Sequence, residues 1–292
     1  MKIAIYGKTF SEDFCPGSLE LFSKLRQYNA HITIYSPFKD FLRHERGIDT
    51  SFDDEFYTYE DLGQDINFLI SIGGDGTFLE AVTMVRGSGI PIIGINSGRL
   101  GFLANIAKGE ISQAIDAIMK NQYTLEQRTL IELKSKNNYF GDFRYALNEF
   151  AVQKHGSSMI TIHTSINKEF LNTYFTDGLI ISTPTGSTAY SLSVGGPIVS
   201  PSSRNFIISP IASHNLNVRP IVVPDYCEVT LQVDGRDCNY MITLDSRVVK
   251  LKVPCEFIIR RADFTLKMLK LSNNNFFNTL RNKLMWGMDK RY

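Results

Sequence analysis

The stretch Ile70-Ser71-Ile72-Gly73-Gly74-Asp75-Gly76-Thr77 decides the fold of this 292-residue chain. The apolar run from Ile66 to Ile72 predicts a buried parallel strand, and the residues from Thr77 to Val85 predict a helix. The three glycines and the aspartate therefore lie at the carboxyl end of a strand and before a helix N-terminus. Open α/β sheets bind ligands at that position, and glycine N–H groups beside a helix N-terminus favour phosphate.

Asp75 is the unusual member of this glycine loop. A carboxylate repels phosphate unless it holds a metal ion or takes a proton from an attacking group. The alternative is an ordinary β-turn, because Asp-Gly is a common turn pair. A turn needs one or two glycines, however, and not three around a carboxylate after an apolar strand. We therefore favour a functional loop.

The composition excludes several classes of protein. The net charge is +1, which favours neither nucleic acid nor a membrane surface as a partner. No apolar run approaches the length of a membrane span, and Met1 to Gly7 predicts a first strand rather than a signal peptide. The four cysteines lie far apart in the sequence, which indicates free thiols in a reducing cytoplasm; they are Cys15, Cys227, Cys238 and Cys255.

The hydrophobic pattern divides the chain into two domains. Strands and helices alternate in residues 1–122, which predicts an α/β domain with a doubly wound, mainly parallel sheet; within it, residues 37–63 predict irregular surface with one short helix. Residues 123–272 alternate apolar and polar residues at period two, which predicts an antiparallel, sandwich-like β domain. Residues 273–292 return to helical spacing, and we expect this helix to pack back onto the first domain and complete it.

A second unusual stretch runs from Asp177 to Ser193, where an apolar strand ends in small and hydroxylated residues. Hydroxyls and free backbone groups at a strand end can hydrogen-bond a polar ligand, and Tyr190 could stack on a ring, although a Ser/Thr-rich turn is the alternative. The pair Asn148-Glu149 lies in a strand-like segment and, taken alone, is more typical of a solvated edge. The sequence contains no P-loop and no dinucleotide fingerprint after its first strand.

Taken together, these segments resemble the bacterial NAD kinase family. Gly73 to Thr77 is similar to the signature that this family shares with diacylglycerol kinases and 6-phosphofructokinases. Asn148-Glu149 matches the family's next motif, and Asp177 to Ser193, continuing into Gly195-Gly196-Pro197, matches its longest. The closing segment from Leu280 to Gly287 is similar to the usual ending of the family. The matches occur in order and at fitting separations, so the combination is highly specific.

The resemblance implies a reaction and a set of site residues. The γ-phosphoryl group of ATP is transferred to the 2′-hydroxyl of the adenosine ribose of NAD with a divalent cation, expected to be Mg²⁺, to which no protein ligand is assigned. Asp75 is the implied general base. The implied cofactor-binding residues are Gly73, Gly74, Asp75, Gly76 and Thr77 at the loop, and Asn148, Glu149, Asp177, Thr188, Ala189, Tyr190, Ser191, Leu192, Ser193, Ala212 and Arg247 around NAD.

The resemblance also implies a pocket between the two domains and a cytoplasmic homo-oligomer, either a dimer or a tetramer. Two positions depart from the family pattern: Phe175 stands where a basic residue is common, and Arg247 stands where many members have glutamine. Both departures leave the preference between NAD and NADH open. The alternative functions are a lipid or sugar kinase with the same loop and a non-catalytic NAD-binding sensor.

Overall fold

A computed structural model describes residues 1–99, 101–234, 239–252, 254–271 and 275–285. These residues form two compact units: unit 1 comprises Met1–Gln127 and the segment from Leu266 onward, and unit 2 is Arg128–Thr265. Cys238 and the Trp286-Gly287 end of the closing motif lie outside the described residues. Cys15, Cys227 and Cys255 are free thiols.

Seventeen strands and six α-helices make up the described part of the chain. The strands are β1 (Lys2–Gly7), β2 (His31–Tyr35), β3 (Asp54–Phe56), β4 (Phe68–Ile72), β5 (Ile92–Ile95), β6 (Tyr123–Ser135), β7 (Tyr145–Ala146), β8 (Glu149–Lys154), β9 (Ile160–Ile166), β10 (Glu169–Thr176), β11 (Gly178–Ser182), β12 (Asn205–Ile211), β13 (Ile221–Pro224), β14 (Val229–Asp234), β15 (Tyr240–Leu244), β16 (Arg247–Leu251) and β17 (Cys255–Leu271). The α-helices are α1 (Cys15–Gln27), α2 (Ser36–Arg46), α3 (Asp75–Val85), α4 (Ile111–Met119), α5 (Tyr190–Ser193) and α6 (Phe276–Leu284). Short 3₁₀ helices cover Glu12–Phe14, Tyr59–Asp61, Lys108–Glu110 and Thr185–Thr188.

Unit 1 is built on a parallel sheet with the strand order β17-β5-β4-β1-β2-β3. Alternate side chains of the central strands, such as Ile5 and Ile70, lie in one apolar core with residues of α1, α2 and α4. On the opposite face, α3 lies so close to β5 that a Cβ at Gly94 would be 3.0 Å from the ring of Phe78 in α3. Helices therefore cover both faces, which confirms the predicted doubly wound α/β fold.

The prediction of irregular surface for residues 37–63 is wrong for much of that segment. An eleven-residue helix, α2, covers Ser36–Arg46, and the edge strand β3 pairs with β2. Phe38, Phe41 and Leu42 have helical spacing and are buried, and Gly47, with φ of 64°, ends the helix. The helix after the glycine loop also begins at Asp75 rather than at Thr77.

Unit 2 consists of two antiparallel sheets around a shared apolar core. One sheet has the order β13-β12-β11-β8-β15-β16, and the other contains β10, β9, β14 and the first part of β17. Phe150 of the first sheet and Phe257 of the second are fully buried, with ring centroids 5.4 Å apart. This arrangement confirms the predicted sandwich-like β domain.

The last helix, α6, belongs to unit 1, as expected. Asn275 caps it by accepting the N–H of Asn278 at 2.8 Å, and Leu280 is its buried residue. Among the helices in the described ranges, none combines the length and the apolar character that crossing a membrane requires.

Candidate active site

The glycine loop of unit 1 follows directly from the end of β4. Gly73 has φ of +153°, and a Cβ there would lie 2.3 Å from Oγ1 of Thr77, so both the backbone and the space require glycine. Asp75 is the first residue of α3, and its negative charge is stabilised by the helix dipole by about 0.3–1 kcal/mol. The loop thus turns the chain sharply and places a carboxylate at a helix N-terminus.

The carboxylate of Asp75 is held by a second loop of the same unit. Oδ1 accepts the N–H groups of Leu103 at 2.9 Å and of Ala104 at 3.0 Å, while Oδ2 accepts the N–H of Phe102 at 2.9 Å. A Cβ at Gly101 would lie 1.9 Å from Oδ1, so this close approach requires glycine at position 101 as well. These three backbone donors fix the orientation of Asp75. Two of the three donate to Oδ1 and one donates to Oδ2.

A cation from the C-terminal helix also lies beside Asp75. Nζ of Lys283 is 3.5 Å from Oδ2 of Asp75 and 4.6 Å from the centroid of the Phe102 ring. The side chains of Asp75 and Lys283 are both about one-third exposed to solvent. The ion pair is therefore accessible to a ligand.

Two glycines of the loop border open space. Gly74 and Gly76 are exposed, and a Cβ at either position would have no atom within 4 Å. Glycine is therefore not needed there to avoid a clash within the protein. A small residue at these positions leaves room for a group that approaches the backbone N–H donors from outside, such as a phosphate.

In unit 2, the side chain of Asp245 orders the pair Asn148-Glu149. Its carboxylate accepts the N–H groups of Leu147 at 2.9 Å, Asn148 at 2.8 Å and Glu149 at 3.2 Å. Asp245 lies in the turn between β15 and β16 with φ of 51°, a left-handed conformation that aspartate tolerates better than most residues. The turn therefore fixes the backbone of the predicted motif.

The chain that leaves β11 crosses directly over the same pair. The N–H of Thr183 donates to the carbonyl of Asn148 at 2.8 Å, and its hydroxyl donates to the carbonyl of Leu147 at 2.6 Å. A Cβ at Gly186 would lie 2.2 Å from the Asn148 carbonyl oxygen, so only glycine allows this crossing. The structure thus brings together the two motifs that the sequence singled out in this unit.

Glu149 is a buried carboxyl group of this cluster. Glu149 is 8% exposed to solvent, and its Oε2 atom has no hydrogen-bond partner among the described residues. The backbone N–H of Tyr190 donates to the carboxyl group. Burial and then the nearby Asp245 carboxylate raise the pKa of Glu149 to about 8. Burial and the proximity of Glu149 also raise the pKa of the Tyr190 phenol.

Residues 188–193 of the 177–193 motif differ in their exposure to solvent. Thr188, Ala189, Tyr190 and Leu192 are partly exposed, and Ser193 is exposed. Ser191 is buried, and its hydroxyl lies 3.0 Å from that of Ser209. The motif therefore offers partly exposed side chains on a backbone that buried hydroxyls hold in place.

Asp177 and Ala212 lie away from the Asn148-Glu149 pair. The strand register places Ser182 opposite Glu149 and Gly178 opposite Gln153, so Asp177 stands at the other end of β11, about 16 Å along the strand. Its carboxylate forms an ion pair with Lys154 at 2.7 Å. Ala212 follows Ile211, the residue paired with Gly178, and has φ of 45°.

Arg247 lies in the same unit, where its guanidinium is engaged by the protein. It donates to the carbonyl oxygens of Phe143 and Tyr145 and lies 5.1 Å from the centroid of the Phe143 ring. These contacts give Arg247 a structural role, because its guanidinium links β16 to the segment of chain before β8. A role toward a ligand stays a prediction for this residue, as the effect of the exposed Phe175 does.

Three functional candidates, Asp245, Phe102 and Lys283, were not identified from the sequence. Asp245 is 97 residues from Asn148, and Phe102 is 27 residues from Asp75, so local periodicity gives no sign of either contact. Lys283 lies inside the closing motif, Leu280 to Gly287, which was the available signal for it. Within the described ranges, no three His, Cys, Asp or Glu side chains come together as a metal site.

Comparison with known proteins covers both units. A family model described as the ATP-NAD kinase N-terminal domain matches residues 23–123, and one described as the ATP-NAD kinase C-terminal domain matches residues 147–271. The NAD kinase of Flavobacterium psychrophilum is 46% identical over 294 residues, and the alignment covers 100% of both chains. The NAD kinase of Cytophaga hutchinsonii is 45% identical over 292 residues, again with 100% of both chains covered.

Solved structures share the fold at lower identity. A crystal structure of yeast NADH kinase complexed with NADH matches with a TM-score of 0.84 and 21% identity, covering 99% of this chain and 89% of that one. A crystal structure of an NAD kinase from Archaeoglobus fulgidus in complex with ATP matches with a TM-score of 0.74 and 23% identity, covering 96% and 99%. At these identities the likeness supports the architecture alone.

Proposed function

The chain belongs to the NAD kinase family, a family of ATP-dependent kinases, and we propose that it transfers the γ-phosphoryl group of ATP to the 2′-hydroxyl of the adenosine ribose of NAD. One observation carries the proposal. The carboxylate of Asp75 is fixed by three backbone donors beside two glycines that border open space. A base and a phosphate-binding loop are thereby adjacent.

In the proposed reaction, Asp75 is the general base. The 2′-oxygen attacks the γ-phosphorus while the bond from that phosphorus to the bridging oxygen breaks, and the electron pair leaves with ADP. The proton of the hydroxyl goes to Oδ2 of Asp75, the oxygen that accepts the N–H of Phe102. The glycine N–H groups and the α3 N-terminus stabilise phosphate charge, which is most of what phosphoryl transfer requires of a protein.

Unit 2 is proposed to hold NAD. Glu149 supports this role best, because a buried carboxyl oxygen without a partner among the described residues favours a ligand hydroxyl. Asn148 and residues 188–193, most of which are partly exposed, are proposed to contact the dinucleotide beside it. Asp177, Ala212 and Arg247 are carried over from the resemblance, as are the cytoplasmic location and the dimer or tetramer.

The residues of unit 1 fit a divalent ion that arrives with ATP. Mg²⁺ is usually held by one or two carboxylates together with substrate phosphates, and Asp75 is a single carboxylate whose oxygens already accept three N–H groups. When bound, the ion neutralises phosphate charge. We therefore expect the phosphates to supply most of its ligands.

The decisive experiment is an assay for NADP with the purified chain, NAD, Mg²⁺ and ATP. We expect NADP with ATP, and a parallel reaction with polyphosphate identifies the preferred donor. A chain that binds NAD in calorimetry but forms no NADP with any divalent ion is a sensor, and the proposal is then wrong. Transfer to a lipid or sugar instead of NAD would support the other phosphotransferase.

The Asp75→Asn variant tests the role of the base. We expect kcat to fall by about 10²–10⁴-fold, the usual contribution of a general base, while the Kd for NAD stays within a few-fold. Asparagine replaces one acceptor oxygen by a donor that faces the N–H of Phe102, so the melting temperature must be measured as a control. An unchanged kcat would remove Asp75 from the mechanism.

A further inference from the structure

Lys283 has a position that the proposed base does not explain. Asp75 already accepts three backbone N–H groups at 2.9–3.0 Å, and Nζ of Lys283 stands farther off, 3.5 Å from Oδ2. Strong ion pairs with a direct hydrogen bond have N···O distances of about 2.7–2.9 Å. The ammonium group of Lys283 therefore lies beside the carboxylate of Asp75, at a distance longer than that of a strong, direct hydrogen bond.

The helix α6 positions the ammonium group of Lys283. Lys283 lies in the last turn of α6, a helix that Asn275 caps and that Leu280 anchors through its buried side chain. The ring of Phe102, whose own N–H binds Asp75, lies 4.6 Å from Nζ, a distance at which a cation is attracted to an aromatic face. Phe102 thus links the position of the cation to that of the carboxylate.

The charge balance of the loop indicates a function for the ammonium group of Lys283. The open side of Gly74 and Gly76 offers backbone N–H groups to phosphate, but Asp75 adds a full negative charge next to them. A triphosphate that approaches the loop is repelled by that carboxylate unless a cation lies between the two. Lys8, another lysine of unit 1, is instead bound to Glu80 at 2.8 Å. Lys283, in contrast, lies beside Asp75 itself.

We propose that Lys283 is a second catalytic residue, whose ammonium group contacts the transferring γ-phosphoryl group. This inference rests on the proposed function. A lysine ammonium has three donors, so it can bind a phosphate oxygen and still face Oδ2 of Asp75. It neutralises the charge that develops on the phosphoryl oxygens, while the proton of the 2′-hydroxyl still goes to Asp75 and the electron pair still leaves with ADP.

The test compares Lys283→Ala with Lys283→Arg and with Arg281→Ala. Alanine preserves the helix, and Arg281 is an exposed cation of the same helix whose guanidinium contacts Asn278. We expect Lys283→Ala to lower kcat by about 10²–10³-fold, the range for loss of one charge-stabilising donor. Lys283→Arg should keep most of the activity, and Arg281→Ala should behave as the unchanged chain.

Three further measurements separate catalysis from a structural role. Propylammonium added to Lys283→Ala should restore turnover in a saturable way, and the Kd for NAD and the melting temperature should stay near those of the unchanged chain. Wild-type kcat in Lys283→Ala, or a loss that follows the melting temperature and is not rescued, would overturn this inference alone. An unchanged chain that forms no NADP would overturn the proposed function as well.

Discussion

Glu149 couples the stability of unit 2 to pH. Its pKa is raised from 4.5 to about 8 in the folded chain, mainly by burial and secondly by Asp245. A carboxyl group whose folded pKa lies above its unfolded pKa binds more protons in the folded state between those values. Its favourable contribution is therefore complete below about pH 4.5 and is lost as the pH rises through about 8.

Replacing Glu149 by glutamine should remove this dependence. The free energy of unfolding of the unchanged chain, measured with urea, should fall between pH 5 and pH 8.5 by a few kcal/mol more than that of Glu149→Gln, since one pKa unit corresponds to about 1.4 kcal/mol. The matched control is Glu169→Gln, because Glu169 is an exposed glutamate of the same unit. Equal pH profiles for the unchanged chain and Glu149→Gln would contradict the assignment.

The glycine loop makes a prediction at the scale of an element, because its glycines serve different purposes. Gly76 lies in the first turn of α3 and borders open space, so Gly76→Ala should leave the melting temperature unchanged or slightly higher. The added methyl group occupies the space proposed for phosphate, and we expect the KM for ATP to rise at least about tenfold. Gly101→Ala should instead lower the melting temperature, because its Cβ would collide with Oδ1 of Asp75.

A control glycine separates these effects from the general effect of a methyl group. Gly109 lies in a 3₁₀ helix and also borders open space, so Gly109→Ala should change neither stability nor kinetics. Stability and activity falling together in Gly76→Ala would contradict the claim that this glycine leaves room for a ligand. Normal stability of Gly101→Ala would contradict the close approach of the second loop to Asp75.

The elements that the sequence predicted best are those in which a local pattern decides the outcome. Five consecutive buried residues form β4, and alternating burial marks β14 and β15, so the period of the sequence is the period of the structure. The sequence predicted one short helix in residues 37–63 and underestimated α2, because its buried residues, Phe38, Phe41 and Leu42, are few and stand among charged residues. Its helical spacing is present but short.

The candidate site was predictable in its motifs and not in its contacts. The glycines around Asp75 and the pair Asn148-Glu149 are visible as unusual residues in the sequence. The hydrogen-bond partners that hold them come from distant segments: the N–H groups of Leu103 and Ala104 donate to Asp75, and the carboxylate of Asp245 accepts the N–H groups of the pair. Hydrogen bonds between segments so far apart depend on the folded backbone and leave no periodic signal in the sequence.

At the scale of the whole molecule, the two units differ in how the chain builds them. Unit 2 is one continuous segment, Arg128–Thr265, with its own apolar core. Unit 1 needs two segments, because the strand next to β5 is the last part of β17, and Leu269 of that strand lies in its core. Residues 1–127 alone therefore lack the strand that pairs with β5 inside the sheet, and they also lack the whole of α6.

This connectivity predicts which fragments fold. The fragment 128–265 should unfold cooperatively in urea, whereas 1–127 should not, because β5 would have an unpaired edge and a partly exposed core. Joining residue 127 to residue 266 by a short Gly/Ser linker should restore cooperative unfolding. The join is geometrically easy, since Nζ of Lys270 lies 2.6 Å from Oε1 of Glu126, so the two segments run side by side. Cooperative unfolding of 1–127 without the second segment would show that the C-terminal strand and helix are not needed for that core, and the linked fragment would then gain nothing over it.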